Sequence, residues 1–179
     1  LLRGRRRIDC ANELVKMISM DVRTEELLAL HKPISRKLIL TAQAMPGGES
    51  LVKRCHKENI PMALVTSSSH ESVEIKTAPH KWMNLFSIRV LGDDKLLKKG
   101  KPAPDPYLLA AKKLNIAPKE CWAVEDSISG VSSALEAGCF VFFLKENSDA
   151  QPKKEFFEQS KNLNEINHLK EIEKILSDY

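Results

Sequence analysis

The sequence predicts an α/β protein: a Rossmann-like parallel sheet with helices on both faces, preceded by a small helical unit. From residue 45 onwards, short apolar runs alternate with helix-length segments, which is typical of βαβ units. The apolar runs are nearly continuous, as in parallel strands that are buried on both faces. Two of the runs end in hydroxyl or carboxylate side chains, at the strand ends where open α/β sheets bind ligands.

The composition indicates a soluble globular protein of one ordinary domain with a small appendage. The 179 residues are 42% hydrophobic and 29% charged, enough for one sizeable core. The net charge of +4 comes in part from arginines between residues 3 and 7, which lack interleaved aromatic residues, so we expect no nucleic-acid partner. No apolar run is long enough to span a membrane, and we expect no membrane partner. The four cysteines show no C-x-x-C spacing, which favours free thiols and a cytoplasmic location.

Residues 1–44 are predicted to be helical and to contain no strand. A first helix over Asn12–Ile18 would bury one face, and Thr24 can cap a second helix that has glutamates in its first turn. Pro33 would kink this second helix or split it in two. A Met-Pro-Gly-Gly cluster then predicts a hinge to a core over residues 45–179.

The core is predicted to contain four strands, four helices and a helical tail. In chain order these are a helix near Glu49–Glu58, a strand at Met62–Thr66, a helix near Glu71–Lys76, a strand at Ile88–Leu91, a helix at Pro106–Leu114, a strand at Cys121–Glu125, a helix at Ser127–Ala137 and a strand at Phe140–Leu144. Ser127 or Ser129 can cap the last of these helices, and Gly138 is suited to end it. The charged tail, Pro152–Tyr179, is predicted to be helical with its spaced leucines and isoleucines facing the core.

Two carboxylates, Glu125 and Asp126, follow directly after the third predicted strand. Paired acids at the carboxyl end of such a strand suit a hard cation such as Mg²⁺. The alternative is a helix-capping Asp beside a solvated Glu. A second acidic pair, Asp93-Asp94, also follows a strand, but its position is more typical of a turn.

Three motifs, in this order, resemble those of the haloacid dehalogenase-like phosphatases: the strand end Thr66-Ser67-Ser68-Ser69, Lys101 before Pro-x-Pro-Asp-Pro, and Glu125-Asp126-Ser127-x-x-Gly130. The resemblance runs from about Arg3 to Leu144. Within this family, the sequence is similar to the pseudouridine-5′-phosphatase and β-phosphoglucomutase-like group. It implies a Mg²⁺-dependent hydrolase that removes phosphate from a small phosphorylated metabolite, such as a nucleoside or sugar monophosphate, through a phosphoaspartyl intermediate. A sugar phosphomutase and a non-catalytic phosphate-binding or regulatory module remain alternatives.

Phosphoryl chemistry would use the first two motifs to bind the phosphate. Thr66 can donate its hydroxyl to a phosphoryl oxygen, and the backbone N–H groups of Ser67 and Ser68 can add to this if a helix begins there. A strand-terminal Thr is otherwise a capping residue. Lys101 offers a compact positive charge for the phosphate and for a nucleophilic carboxylate. As one of several neighbouring lysines, it would otherwise be assigned to the surface.

The resemblance also implies a metal site, a cap and a missing strand. Asp126 and, less directly, Glu125 would hold Mg²⁺. Residues 1–44 would be the remainder of a helical cap in which Arg7 contacts the phosphate or ribose of the substrate, the alternative being a solvated basic turn. The family's nucleophile lies in an Asp-x-Asp motif that is absent here, and Asp9 follows no apolar strand. We therefore expect a chain without its first segment, a gap in the centre of the sheet, and dependence on that segment for activity.

Overall fold

The computed structural model describes residues 2–18, 21–145 and 160–178. These residues form seven α-helices and five strands, with two short 3₁₀ helices at Lys81–Leu85 and Pro118–Glu120. In chain order the main elements are α1 (Arg7–Met17), α2 (Thr24–Ile39), α3 (Gly48–Lys57), β1 (Ala63–Val65), α4 (His70–Thr77), β2 (Ile88–Val90), α5 (Asp105–Leu114), β3 (Trp122–Glu125), α6 (Ile128–Glu136), β4 (Phe140–Leu144), β5 (Leu163–Ile166) and α7 (Lys170–Ser177). Within the described residues, no helix combines the length and the hydropathy that crossing a bilayer requires.

All strand pairs are parallel, which confirms the predicted α/β class. β1 pairs with β2, and β3 pairs with β4, which in turn pairs with β5. The strands thus form two sheets rather than one, because no hydrogen-bonded ladder joins β1 to β3 in the described part of the chain. The break lies between the strand that precedes Thr66 and the strand that ends in Glu125. A gap in the centre of the sheet is what the family resemblance implies.

The strand beside the break is only partly covered. Trp122 and Val124 in β3 are 41% and 42% exposed, while the alternate residues Ala123 and Glu125 are buried. Inner strands of parallel sheets are normally buried on both faces. One face of β3 is therefore only partly covered.

Helices cover both faces of the three-stranded sheet, as predicted. Alternate residues of β4 point to opposite faces. Val141 and Phe143 pack in one cluster with Tyr107 of α5 and Val131 of α6. Phe142 and its neighbour Leu144 belong to a second cluster with residues of α3, β5 and α7, among them Leu51, Ile166 and Ile172.

The prediction of a wholly helical tail was wrong. Its first part, residues 152–159, lies outside the described residues. Leu163–Ile166 forms strand β5, and α7 begins only at Lys170. Leu163 and Ile166 are three positions apart, which imitates helical spacing, but pairing with β4 determines their conformation. Leu169 and Ile172 are buried against the core, as expected from their spacing.

For α2, one further expectation was wrong, and one of the two alternatives for Pro33, the split, is excluded. Thr24 is not a cap: α2 is capped by Arg23, whose backbone N–H donates to Glu26 (3.2 Å), and Thr24 donates its hydroxyl to Asn12 instead. α2 is not split, since it continues through Pro33 as one helix. For α6 the prediction is confirmed, because Ser127 is its N-cap and accepts from the Gly130 N–H, and Gly138 follows its C-cap with a left-handed φ of 92°.

Candidate active site

A cavity of about 530 Å³ lies at the carboxyl ends of β1 and β3, and residues of α1 and α2 complete its wall. The carboxyl ends of parallel strands meet at one edge of a sheet, so residues distant in the sequence can converge there. Every residue that the sequence singles out for the site lines this cavity: Arg7, Thr66, Ser67, Ser68, Lys101, Glu125 and Asp126. The structure therefore brings the three motifs together, while the role of each residue remains a prediction.

A buried ion pair between Lys101 and Glu125 connects the two strand ends. The Lys101 ammonium donates to Glu125 Oε1 and to the backbone carbonyl of Val65 at the end of β1 (3.3 Å). Both charged side chains are only 6% exposed. Burying two charges is costly unless they are paired and hydrogen-bonded, and here they are. Lys101 is thus a fixed part of the cavity wall, whereas Lys98 and Lys99 are exposed.

Glu125 is held by two further donors. The Tyr107 hydroxyl donates to Oε1, and the Ser127 hydroxyl donates to Oε2 at 3.3 Å. Burial raises the pKa of Tyr107 well above its ordinary value, and the negative charge of Glu125 and the hydrogen bond to it raise that pKa further. Tyr107 therefore remains a protonated donor. Tyr107 was not predicted from the sequence, because a tyrosine in the first turn of an amphipathic helix is more typical of a core position.

Asp126 differs from Glu125 in its surroundings. Its side chain is exposed and pairs with Arg3 at 2.9 Å. An exposed ion pair contributes little to stability, so Arg3 can be exchanged for another cation. Because Glu125 already accepts from three protein donors, Asp126 has the more accessible carboxylate.

The carboxylates of Glu125 and Asp126 are compatible with Mg²⁺ but do not form a complete metal site by themselves. In the described part of the chain, no three His, Cys, Asp or Glu side chains form a metal-binding cluster. Mg²⁺ usually keeps several waters and binds through one or two carboxylates together with substrate phosphate. Asp126, with Glu125 beside it, can supply that number of carboxylates at the cavity.

The hydroxyl-rich segment after β1 forms a compact turn and not a helix N-terminus. α4 begins at His70, so the condition under which the Ser67 and Ser68 N–H groups would bind phosphate is not met. The Ser68 N–H donates to Thr66 Oγ1 (3.1 Å), and the Ser67 hydroxyl donates to the Gly4 carbonyl (2.6 Å). Because Thr66 Oγ1 only accepts in the bond from Ser68, its hydroxyl proton is still available to donate to a ligand.

The wall formed by α1, α2 and α4 carries two more cations. Arg7 donates to Ser35 (3.1 Å), Ser69 (3.3 Å) and Ser72. Lys76 in the last turn of α4 reaches back and donates to the Ser68 hydroxyl (3.2 Å). Burial lowers the pKa of Lys76, and the positive charge of Arg7 lowers it further. No role for Lys76 was predicted from the sequence, because helical periodicity alone does not show that a lysine points into a cavity.

The match to a known family agrees with this arrangement. A family model described as haloacid dehalogenase-like hydrolase matches residues 3–138, well over half of the chain. The chain belongs to the haloacid dehalogenase-like hydrolases. The resemblance that the three motifs predict is thereby confirmed.

Two curated relatives of this haloacid dehalogenase-like chain are named as phosphatases. A protein of Drosophila melanogaster named "Probable pseudouridine-5′-phosphatase" is 36% identical over 147 residues, which are 80% of this chain and 64% of that protein. Hexitol phosphatase A of Escherichia coli strain K12 is 42% identical over 106 residues, 59% of this chain and 48% of that protein. The chain thus spans about half to two thirds of the length of these relatives.

A solved haloacid dehalogenase-like structure has the same fold. The hydrolase of family IA, variant 3, from Entamoeba histolytica superposes with a TM-score of 0.74 at 27% identity, over 98% of this chain and 79% of that one. Its similarity covers the helical unit as well as the strands. The two sheets of this chain therefore belong to a Rossmann-like fold.

Proposed function

We propose that this haloacid dehalogenase-like hydrolase is a Mg²⁺-dependent phosphatase that acts on a small phosphorylated metabolite, such as a nucleoside or sugar monophosphate. The observation that carries the proposal is the buried Lys101–Glu125 pair, which shares one cavity with an accessible carboxylate, Asp126, and a strand-end hydroxyl, Thr66. The names of the two relatives support a small phosphate ester as the substrate. All four cysteines are free thiols, which favours a reducing, cytoplasmic location.

Lys101 and Thr66 would bind the phosphoryl group of the substrate. An ammonium group has three donors, and Lys101 uses two of them for Glu125 and the Val65 carbonyl. The third can donate to a phosphoryl oxygen, and the Thr66 hydroxyl can donate to another. Because Glu125 and Tyr107 fix the lysine before substrate binds, its charge needs no reorganisation during the reaction.

Asp126 would hold Mg²⁺, with Glu125 as a second, less accessible carboxylate. The metal ion would supply positive charge against the oxygens of the phosphate ester. A metal ion at Asp126 would compete with Arg3 for this carboxylate.

The attacking carboxylate, in this proposal, is supplied by an additional strand between β1 and β3. Glu125 is engaged with Lys101, and Asp9 lies in α1 and pairs with Arg6 at 2.7 Å. A carboxylate oxygen of the added strand would bond to phosphorus while the ester P–O bond breaks and the leaving oxygen takes a proton. Water would then hydrolyse the phosphoaspartyl group to phosphate and regenerate the carboxylate.

Residues 1–44 would act as the cap and residues 45–179 as the catalytic core. In support, Arg7 of α1 and Ser35 of α2 line the same cavity as the strand ends. A cap in this position would exclude water and select the non-reacting part of the substrate.

The first experiment tests the origin of the nucleophile. The 179-residue chain is assayed with Mg²⁺ and a set of nucleoside and sugar monophosphates, alone and with an apolar strand ending in Asp-x-Asp fused ahead of it. We expect turnover only in the fusion, and none when the first Asp of the fused strand is changed to Asn. Mg²⁺-dependent turnover by the 179-residue chain alone would refute this mechanism.

The second experiment tests the role of Lys101 in an active form of the protein. Lys101→Met should lower kcat/KM by at least about 100-fold, the scale of losing one preorganised electrostatic contact. Lys98→Met and Lys99→Met are matched controls in the same loop, and both should leave kcat/KM nearly unchanged because these side chains are exposed. Equal losses in all three variants would mean that the loop acts as a diffuse basic patch.

A further inference from the structure

Helix α2 leaves much of its apolar surface exposed. None of its sixteen residues is buried, although the helix packs against α1 and α4. Leu30, Ile34 and Leu38 are spaced four positions apart and are between 62% and 69% exposed. Residues with this spacing share one side of a helix, so the three side chains form a continuous apolar stripe. Contiguous exposed apolar surface of this kind marks an interaction site.

A glutamate and a lysine lie beside the stripe on the same flank of α2. Glu26 and Lys37 are eleven positions apart, and at about 100° per residue this separation equals three full turns plus about 20°. Both residues are exposed. The flank is therefore negative near the start of α2 and positive near its end.

A second copy of α2 that runs antiparallel to the first is complementary to this face. With a two-fold axis midway between Leu30 and Ile34, Leu30 of each copy lies opposite Ile34 of the other. In the same register, Glu26 of each copy comes within one position, about 1.5 Å along the helix axis, of Lys37 of the other. A parallel arrangement would instead bring like charges together. The stripe and its charged flank are thus self-complementary, as the interface of a two-fold dimer must be.

The apolar residues would supply most of the binding energy, and the charges would select the antiparallel orientation. Glu26 pairs with Arg23 of its own chain, but this ion pair is exposed and can be exchanged at little cost. Like charges placed opposite each other disfavour the wrong arrangement. One helix face buries less than the roughly 800 Å² per partner of a standard interface, so the association should be weak.

We propose that the exposed stripe of α2 is the interface of a homodimer, in which it pairs with the antiparallel α2 of a second copy of this chain. Leu38 belongs to the stripe and also lines the cavity, so the dimer brings the start of the other copy's α2 to the rim of the candidate active site. The inference is independent of the proposed function, because it rests only on the stripe and its charged flank.

The first test measures the oligomeric state by sedimentation equilibrium, from about 2 to about 200 µM protein. We expect a monomer–dimer equilibrium with a dissociation constant of about 10–100 µM, as for interfaces below standard size. Ile34→Glu should raise this constant at least about tenfold, because it places a charge in the apolar contact of each copy. Leu96→Glu is the matched control, since this leucine is similarly exposed but lies outside α2, and it should leave the constant unchanged.

The second test addresses the orientation of the two helices. Lys37→Glu and Glu26→Lys should each weaken the dimer by about threefold or more, because each places like charges opposite one another. An equimolar mixture of the two variants should dimerise within about threefold of the wild type, since both opposite-charge contacts are restored only between different variants. Circular dichroism checks that Glu26→Lys, which removes the contact with Arg23, retains its helix content. If it does not, Lys37→Glu alone tests the flank.

Several results would overturn the interface. A monomer at every concentration would do so, and would leave the stripe to another segment or to another protein. A dimer that Ile34→Glu does not weaken, and that disappears in the fusion described above, would place the contact at the edges of β1 and β3 instead. If the mixture of charge variants dimerises no better than either variant alone, the antiparallel pairing is wrong.

Discussion

Breaking the Lys101–Glu125 pair should destabilise the protein more than breaking any exposed ion pair. Glu125 is held by three donors, and Lys101→Met removes the only charged one, leaving a buried carboxylate with the Tyr107 and Ser127 hydroxyls. Removing one partner of a buried pair typically costs about 3–5 kcal/mol. In Glu125→Gln, the Lys101 ammonium still donates to the Val65 carbonyl, but this neutral acceptor does not balance the positive charge of the lysine.

A double-mutant cycle measures this coupling directly. Lys101→Met, Glu125→Gln and the double variant are compared with the wild type by urea unfolding, followed through tryptophan fluorescence. We expect a coupling energy of about 2–3 kcal/mol, at the upper end of the range for contacting residues.

The matched control is the exposed pair Lys53–Glu49, which contains the same residue types at 2.6 Å with side chains 61% and 54% exposed. Its coupling should stay below about 0.5 kcal/mol, as for other i,i+4 pairs on helix surfaces. A coupling for the buried pair no larger than that of the control would refute the argument that burial makes this pair strong.

Three further predictions concern the surroundings of that pair. Tyr107→Phe should lower the free energy of unfolding by about 1–3 kcal/mol in urea titrations, because Glu125 loses a buried donor. Gly130→Ala should be destabilising by about 1–3 kcal/mol although alanine favours helices, because a Cβ there would meet the carboxylate of Glu125; the exposed change Glu136→Ala should be nearly neutral. Burial raises the pKa of Cys139 from 9.0 to about 11, so its thiol stabilises the fold below pH 9 and that stability is lost as pH rises towards 11. The loss is at most about 3 kcal/mol, and Cys139→Ala should remove this part of the alkaline slope of the unfolding free energy.

The convergence of the site could be predicted because it depends on chain topology. A strand that ends at Thr66 and a strand that ends at Glu125 deliver their terminal residues to the same edge whenever both belong to parallel sheets. Lys101 could be placed at the site only through the family resemblance, since its neighbouring lysines alone would assign it to the surface. The gap was predicted only through the family resemblance, which places the nucleophile strand in the middle of the sheet.

Tyr107 and Lys76 could not be assigned from the sequence, because their side-chain directions depend on tertiary packing. Tyr107 occupies an apolar stripe of α5, and only the burial of Glu125 beside it makes its hydroxyl important. Lys76 is one lysine among many, and its approach to Ser68 depends on how α4 is oriented. Strand β5 was missed for a related reason, since four residues with two apolar positions carry too little periodicity to distinguish a strand from a helix.

The separation of β1 from β3 also has a consequence for the behaviour of the protein at high concentration. Without the additional strand proposed above, β1 and β3 each have one edge that no strand of the described residues covers, and such edges can pair with the same edges of other molecules. However, β1 has three residues and β3 has four, whereas segments that build stable fibrils have about six or seven. Association through these edges should therefore be weak and reversible. Oligomers that form in this way should dissociate on dilution.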